Sequence, residues 1–255
     1  MIHHLDLRGD SVATVKRFLP LVLLILISCP LKDAYALTVS DMYDITKLVN
    51  APYDNRDPHI NNNGQIVWEG RKGPGEAAVF FFDGSTIHQI SDNLANQRPR
   101  MNDSGQIVWQ RLDGADTEIM FYNGSTVKQL TDNSYDEEVP VISNNGHIVW
   151  HGFNGTKWSI YKYDGTTTKM ISDPAHDAKN PQINSSGKIV WQQNDGQGDE
   201  IYLYDGATAT RVTNNNFTEY YPMINDNGDV AWQGRFGNEA DFETYLFDGL
   251  IIRVH

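Results

Sequence analysis

Residues 181–191 read Pro181-Gln182-Ile183-Asn184-Ser185-Ser186-Gly187-Lys188-Ile189-Val190-Trp191, and the pattern recurs along the chain. Pro58, Pro99, Pro140, Pro181 and Pro222 are 41 residues apart each time. Gly64, Gly105, Gly146, Gly187 and Gly228 keep that spacing, and so do Trp68, Trp109, Trp150, Trp191 and Trp232. Five of the six tryptophans therefore share one structural position, and Trp158 is off the register. A period of this size signals stacked supersecondary units. Within each unit, Pro-x-Ile-Asn reads as a short strand. The Asn-Gly or Ser-Gly turn after it tolerates the positive φ of a tight hairpin. Lys188-Ile189-Val190-Trp191 is apolar on both faces, so both faces must be covered. Residues 200–204 make a third strand ending at Asp205-Gly206, and residues 210–213 a fourth. Four short antiparallel strands per unit, buried on both faces, describe a β-propeller blade and an all-β fold. A β-sandwich would not repeat Pro, Gly and Trp at fixed spacing, and a β-helix repeats at much shorter periods.

The units divide the chain into repeats over residues 58–98, 99–139, 140–180, 181–221 and 222–255, which predicts five blades. A lead-in over 37–57 carries a sixth fourth-strand pattern at Ile45-Thr46-Lys47-Leu48-Val49, although the last repeat has its own in residues 251–254. The lead-in strand is then surplus on a five-bladed ring, or displaces residues 251–254, or belongs to an incomplete six- or seven-bladed ring with an open edge. Residues 1–36 read as an export signal: Lys16 and Arg17 precede the apolar run Phe18 to Cys29, Pro30 breaks it, and Ala34-Tyr35-Ala36 offers a small-x-small cleavage site. At about 1.5 Å per residue the run is too short to cross a bilayer core as a helix. Leu26-Ile27-Ser28-Cys29 also resembles a lipobox, in which Cys29 would be lipidated; an uncleaved anchor is the third reading. All three place the domain outside the cytoplasm, in the periplasm or at the cell surface, with no membrane insertion after cleavage.

Pro-x-Ile-Asn-x-x-Gly-x-Ile-Val-Trp, followed by Ile-Tyr-x-Tyr-Asp-Gly and a strand ending Leu-Thr-Asp-Asn, resembles the TolB-type, WD-like propeller repeat. The resemblance spans Asp44 to His255. The sequence departs from that family's pattern in placing Asn or Ser where the family has Ser-Pro-Asp, and Trp where it has Phe. The resemblance implies a propeller. For function it implies a range: periplasmic scaffolds that bind partner proteins, and propellers attached to peptidases and polysaccharide lyases.

Charge narrows the partners. The chain has 20 basic and 33 acidic residues, a net charge of −13, and the leader removes four of the former and three of the latter. The mature chain is more acidic still, which excludes nucleic acid as a partner through phosphate repulsion. The single cysteine, Cys29, lies in the leader, so the mature chain has no disulfide and no thiolate metal site. The mature histidines, His59, His88, His147, His151, His176 and His255, occupy unequal repeat positions and build no ring of ligands. Asp226-Asn227-Gly228-Asp229 and residues 194–199 echo calcium loops but lack a distal bidentate Glu, and read as turns. No cofactor is called for, with Ca²⁺ the one cation these loops leave open. No Gly-x-Ser-x-Gly elbow and no catalytic cysteine marks a nucleophile.

What differs between repeats is the surface. The residue after each proline is His59, Arg100, Val141, Gln182 and Met223, on the strand that lines a propeller's channel. The segments before each proline, expected to be loops around one channel mouth, carry Asp57, Arg98, Asp136, Glu138, Asp177, Asn180 and Tyr220. Loops on a rigid scaffold are where binding residues concentrate. The acidic rim, with Tyr53, Tyr135, Phe217, Tyr220 and Tyr221, suits a cationic or sugar-like ligand or a basic peptide. The leading expectation is a non-enzymatic protein- or glycan-binding scaffold. The alternatives are a metal-assisted polysaccharide lyase or hydrolase centred on His59 and rim carboxylates, and a structural cell-surface component.

Overall fold

The computed structural model describes residues 47–49, 52–235, 241–249 and 252–254. The leader, Cys29 and most of the lead-in strand lie outside the described residues; Lys47 to Val49 are not strand. Among the described residues twenty strands form five antiparallel sheets of four, each built from consecutive strands. Blade 1 holds Asp54–Ile60 (β1), Ile66–Gly73 (β2), Glu76–Phe82 (β3) and Ile87–Gln89 (β4). Blade 2 holds Asn96–Met101 (β5), Ile107–Asp113 (β6), Asp116–Tyr122 (β7) and Val127–Gln129 (β8). Blade 3 holds Glu137–Ile142 (β9), Ile148–Phe153 (β10), Trp158–Tyr163 (β11) and Thr168–Met170 (β12). Blade 4 holds Ala178–Ile183 (β13), Ile189–Asn194 (β14), Asp199–Tyr204 (β15) and Ala209–Arg211 (β16). Blade 5 holds Glu219–Ile224 (β17), Val230–Gly234 (β18), Glu243–Phe247 (β19) and Ile252–Val254 (β20). First strands of successive blades pack on one another, β1 on β5, β5 on β9, β9 on β13 and β13 on β17, so they are the innermost.

The core lies between blades. Val67, Val79 and Phe81 of blade 1 meet Met101, Ile107, Trp109 and Met120 of blade 2. Val108 and Ile119 meet Ile142, Ile148 and Trp150 at the next seam. Val149 and Ile160 meet Ile183, Ile189 and Trp191, and Val190 and Ile201 meet Val230 and Trp232. The second strand is thus buried on both faces because isoleucine and tryptophan look to the blade before and valine to the blade after. Trp68, Trp150, Trp191 and Trp232 also stack on a third-strand aromatic ring, as Trp150 does on Tyr161 at 6.0 Å and Trp191 on Tyr202 at 5.9 Å.

The asparagine of Pro-x-Ile-Asn clamps the seams. Asn102 Oδ1 accepts from the N–H groups of Ser104 and Gln106 within its own turn, while its Nδ2 donates to Ser143 O in the next blade. Asn61 and Asn184 donate likewise to Asn102 O and Asn225 O, each 41 residues on. Asn225, on the last blade, turns its Nδ2 to Asp229 instead.

The blades make an arc with two free flanks among the described residues. β17 does not pack on β1 as successive first strands pack on each other. Ile60 is 63% exposed, whereas its equivalents Met101, Ile142 and Ile183 are 3%, 7% and 9% exposed under the preceding blade. On the far flank Ala231 and Thr244 stand where the other blades place a fully buried Val or Ile. Terminal repeats of stacked arrays commonly carry such a less apolar outer face.

Candidate functional site: the bulged mouth of the propeller

Of the residues before each proline, Asp57, Arg98, Glu138, Asn180 and Tyr220 belong to the first strand, while Asp136 and Asp177 lie just ahead of it in loops. Each first strand breaks register with the second at the proline. Proline has no N–H to give the ladder, so a strand accepts it at a bulge. The residue ahead of it takes left-handed backbone in every blade: Asp57 (φ +48°), Arg98 (+53°), Val139 (+54°), Asn180 (+54°) and Tyr221 (+52°). Asparagine and aspartate tolerate this region; valine does not, so Val139 is strained. Five equivalent bulges near the start of the five innermost strands line one end of the arc.

The bulges are held from across the seams. The Val139 N–H donates to Gln110 Oε1 at 3.0 Å, and the Tyr221 N–H to Gln192 Oε1 at 3.1 Å. In the corresponding place between blades 3 and 4, the Asn180 N–H donates to His151 Nδ1 at 3.3 Å. The residue after the framework tryptophan therefore caps the next blade's bulge, and His151 does this in place of glutamine. With Nδ1 accepting, the ring proton sits on Nε2, which faces Glu138 Oε2 at 3.8 Å. Burial holds the imidazole below its ordinary pKa, against the pull of Glu138. Glu138 in turn is held low by His151 and, further off, by Arg98 and Lys179.

These contacts gather one cluster at the mouth. Trp158, the off-register tryptophan, meets His151 edge-on at 5.0 Å and carries Lys179 Nζ 4.8 Å from its ring centroid. Phe153 extends the aromatic surface, 5.6 Å from Trp158 and 6.0 Å from Tyr135, whose ring is exposed. Of the rim residues expected from sequence, Arg98, Glu138 and Asn180 are drawn into this cluster.

Others serve the scaffold. Asp136 accepts from Thr117 N and Oγ1, and Asp177, at the same repeat position, accepts from Trp158 N and pairs with Lys157 at 2.9 Å. Both carboxylates pin the start of the third strand of the preceding blade. His59, Asp57 and Arg100 lie toward blades 1 and 2: burial and the nearby Arg100 lower the His59 imidazole, and Asp57 is a charge close to Arg100. Gln182 is a half-buried residue of β13, and Tyr220 packs against Tyr221 and Phe242 near blade 5. A polar dish of about 310 Å³ opens at the opposite ends of the first strands, lined by Asn144, Asn184, Ser185, Asn225 and Asp226. Its amides are largely occupied by the seam clamps. Sequence reasoning passed over His151, Trp158 and Lys179. The signal was present: a histidine where three other repeats have glutamine, and a tryptophan outside the repeat position.

The chain aligns with propellers of known structure. Puromycin hydrolase matches over 82% of this chain and 38% of its own, at 12% identity and a TM-score of 0.63. TolB from Acinetobacter baumannii matches over 77% of this chain and 53% of its own, at 17% identity and a TM-score of 0.55. It has the fold of a TolB-type β-propeller. The β-propeller domain of the Trilobed protease from Pyrococcus furiosus, described as having an open velcro topology, matches over 78% of this chain and 66% of its own, at 13% identity and a TM-score of 0.58. In this TolB-like propeller no sheet mixes strands from distant parts of the described chain. The chain spans about two fifths of the hydrolase and about half of TolB. No family model and no curated protein matches the sequence. Among the described residues no helix is long and apolar enough to cross a membrane, and no group of three or more His, Cys, Asp or Glu is arranged to hold a metal.

Proposed function

We propose that this propeller is a non-enzymatic binding module, working outside the cytoplasm, that takes a carboxylate-bearing glycan or protein segment at the bulged mouth. The observation that carries the reading is the cluster of Arg98, Lys179, Asn180 and Trp158 on strands fixed by the seams. Sequence suggested an acidic rim for a cationic ligand. Asp136 and Asp177 are bonded to the third strand of the preceding blade, which leaves two cations, Arg98 and Lys179, with one carboxylate, Glu138, beside an aromatic surface. Guanidinium and ammonium groups suit carboxylates, and the Phe153–Trp158 surface suits the apolar face of a sugar or side chain. His151 favours binding over catalysis, because its Nδ1 caps a bulge and burial keeps it neutral.

Titration calorimetry of the mature chain with oligogalacturonate and with oligoglutamate tests this. One of the two is expected to bind, about tenfold more weakly for Lys179→Ala, a loss of about 1.4 kcal/mol, and more weakly at high salt. Failure of both ligands to bind a cooperatively melting protein would overturn the reading.

A further inference from the structure

Asn133 clasps two buried glutamates at once. Its N–H donates to Glu118 Oε1 at 2.8 Å, and its Nδ2 donates to Glu137 Oε1 at 2.7 Å. Glu118 belongs to β7 and Glu137 to β9, so the pair spans the seam between blades 2 and 3. Both are buried, and both Oε2 atoms lack a hydrogen-bond partner among the described residues. The arrangement recurs 82 residues on. Asn215 donates through N–H to Glu200 Oε1 at 3.0 Å and through Nδ2 to Glu219 Oε1 at 2.6 Å, across the seam between blades 4 and 5, and Glu200 Oε2 is left without a partner.

The other two seams are built differently. At the position of Glu137 and Glu219, blade 1 has Asn55 and blade 2 has Asn96, which accept from the indoles of Trp68 and Trp109. Blade 4 has Ala178 there. In blades 3 and 5 the glutamate turns across the seam, and the indoles of Trp150 and Trp232 are left unpartnered. Glycine makes the room: a Cβ at Gly152 would lie 3.1 Å from Glu137 Cγ, and one at Gly234 3.2 Å from Glu219 Cγ. Blades 2 and 4 carry Arg111 and Gln193 at that place.

Two carboxylates cannot bond each other, since each only accepts. We propose that each pair holds one shared proton across its seam, and that loss of this proton loosens the seams between blades 2 and 3 and between blades 4 and 5 while the other two stay closed. The proton bonds one carboxyl to the other and removes one of two buried like charges. Its loss to solvent leaves two buried carboxylates facing each other. Burial, with Glu118 adding to it, pushes Glu137 up to about 8; burial, with Glu200 adding and the Thr213 and Asn215 hydrogen bonds opposing, pushes Glu219 up to about 7. The titratable group facing the first pair from β11 is Tyr161. Facing the second are Arg211 of β16, 2.8 Å from Glu200 Oε1, with Asp195 bonded to it and Tyr202 near by.

The sign follows from linkage. Between the ordinary glutamate value and these raised values, the folded chain keeps a proton that the unfolded chain has lost, so stability falls as pH rises. The unfolding constant should grow about tenfold per pH unit for each pair that still holds its proton. His59, His147 and His151 are lowered from 6.5 in the fold, so their linkage raises stability with pH, opposite in sign to that of the pairs, and fades above pH 7. Urea unfolding of the mature chain from pH 7 to 8.5 is compared with Glu137→Gln/Glu219→Gln, in which an amide supplies a permanent hydrogen. The wild type should weaken with pH and the double variant stay level. Equal slopes would overturn the proposal. If the double variant does not fold, infrared spectroscopy of the wild type decides. A buried carboxylic-acid carbonyl band at pH 7, gone at pH 9.5, supports the shared proton, and its absence at pH 7 overturns it.

Discussion

Trp150 shows how much of this molecule rests on one residue type. Its ring fills the seam between blades 2 and 3 against Val108 and Ile119 and stacks on Tyr161. Trp150→Ala should destabilise the chain by about 3–5 kcal/mol, read as a lower urea midpoint with unchanged slope. His151 makes a different point. Glutamine does the same capping in blades 2 and 4, so His151→Gln should leave the fold intact. It should also remove a pH dependence. A buried imidazole lowered from its ordinary value is neutral in the fold, so the wild type loses stability as pH falls below about 6.5, where the unfolded chain takes up a proton. His151→Gln should reduce that loss between pH 7 and 5 in parallel urea titrations, the lowered His59 and His147 keeping their share. The chain alone marks Trp150 through its spacing. It could not mark His151's task, because the bulge it caps lies 29 residues away on another blade.

The element that matters most is the first strand. Its proline forces a bulge, and the bulge forces left-handed backbone on whatever residue comes before. Asn180 meets that demand at little strain; Val139, β-branched at φ +54°, does not. Val139→Asn should therefore raise stability by about 1 kcal/mol, the lower end of what such strain costs, measurable as a higher melting temperature. Should the variant melt lower, the half-buried packing of the valine outweighs its strain. The same element explains why part of the rim was expected as loop and is strand. Polar residues before a proline look like a loop, whereas here they are strand residues turned by the bulge and held by Gln110, His151 and Gln192 from the neighbouring blade.

At the scale of the whole molecule the flank of blade 1, uncovered among the described residues, gives the clearest test. Ile60 and Ile142 share one repeat position, yet one is 63% and the other 7% exposed. Ile60→Lys should leave the melting temperature nearly unchanged. Ile142→Lys should cost about 3 kcal/mol or more, because it buries a charge under blade 2. Equal damage from both would mean that a neighbour covers blade 1 as blade 2 covers blade 3.

Blade, period and core were legible in the chain, because each depends on contacts that recur at fixed separation. The isoleucine, valine and tryptophan of strand two and the glycine of the turn carry their meaning locally, through burial on two faces and a positive φ. The candidate site was legible only in part. Arg98, Glu138 and Asn180 were visible as rim residues, but Trp158 and Lys179 were not, because Trp158 reaches His151 through the pairing of β10 with β11 and Lys179 reaches Trp158 across the seam between blades 3 and 4. The pairing of Glu118 with Glu137 and of Glu200 with Glu219 was likewise hidden among many acidic residues. What set those four apart was burial across a seam and the room left by Gly152 and Gly234, which depend on how one blade meets the next.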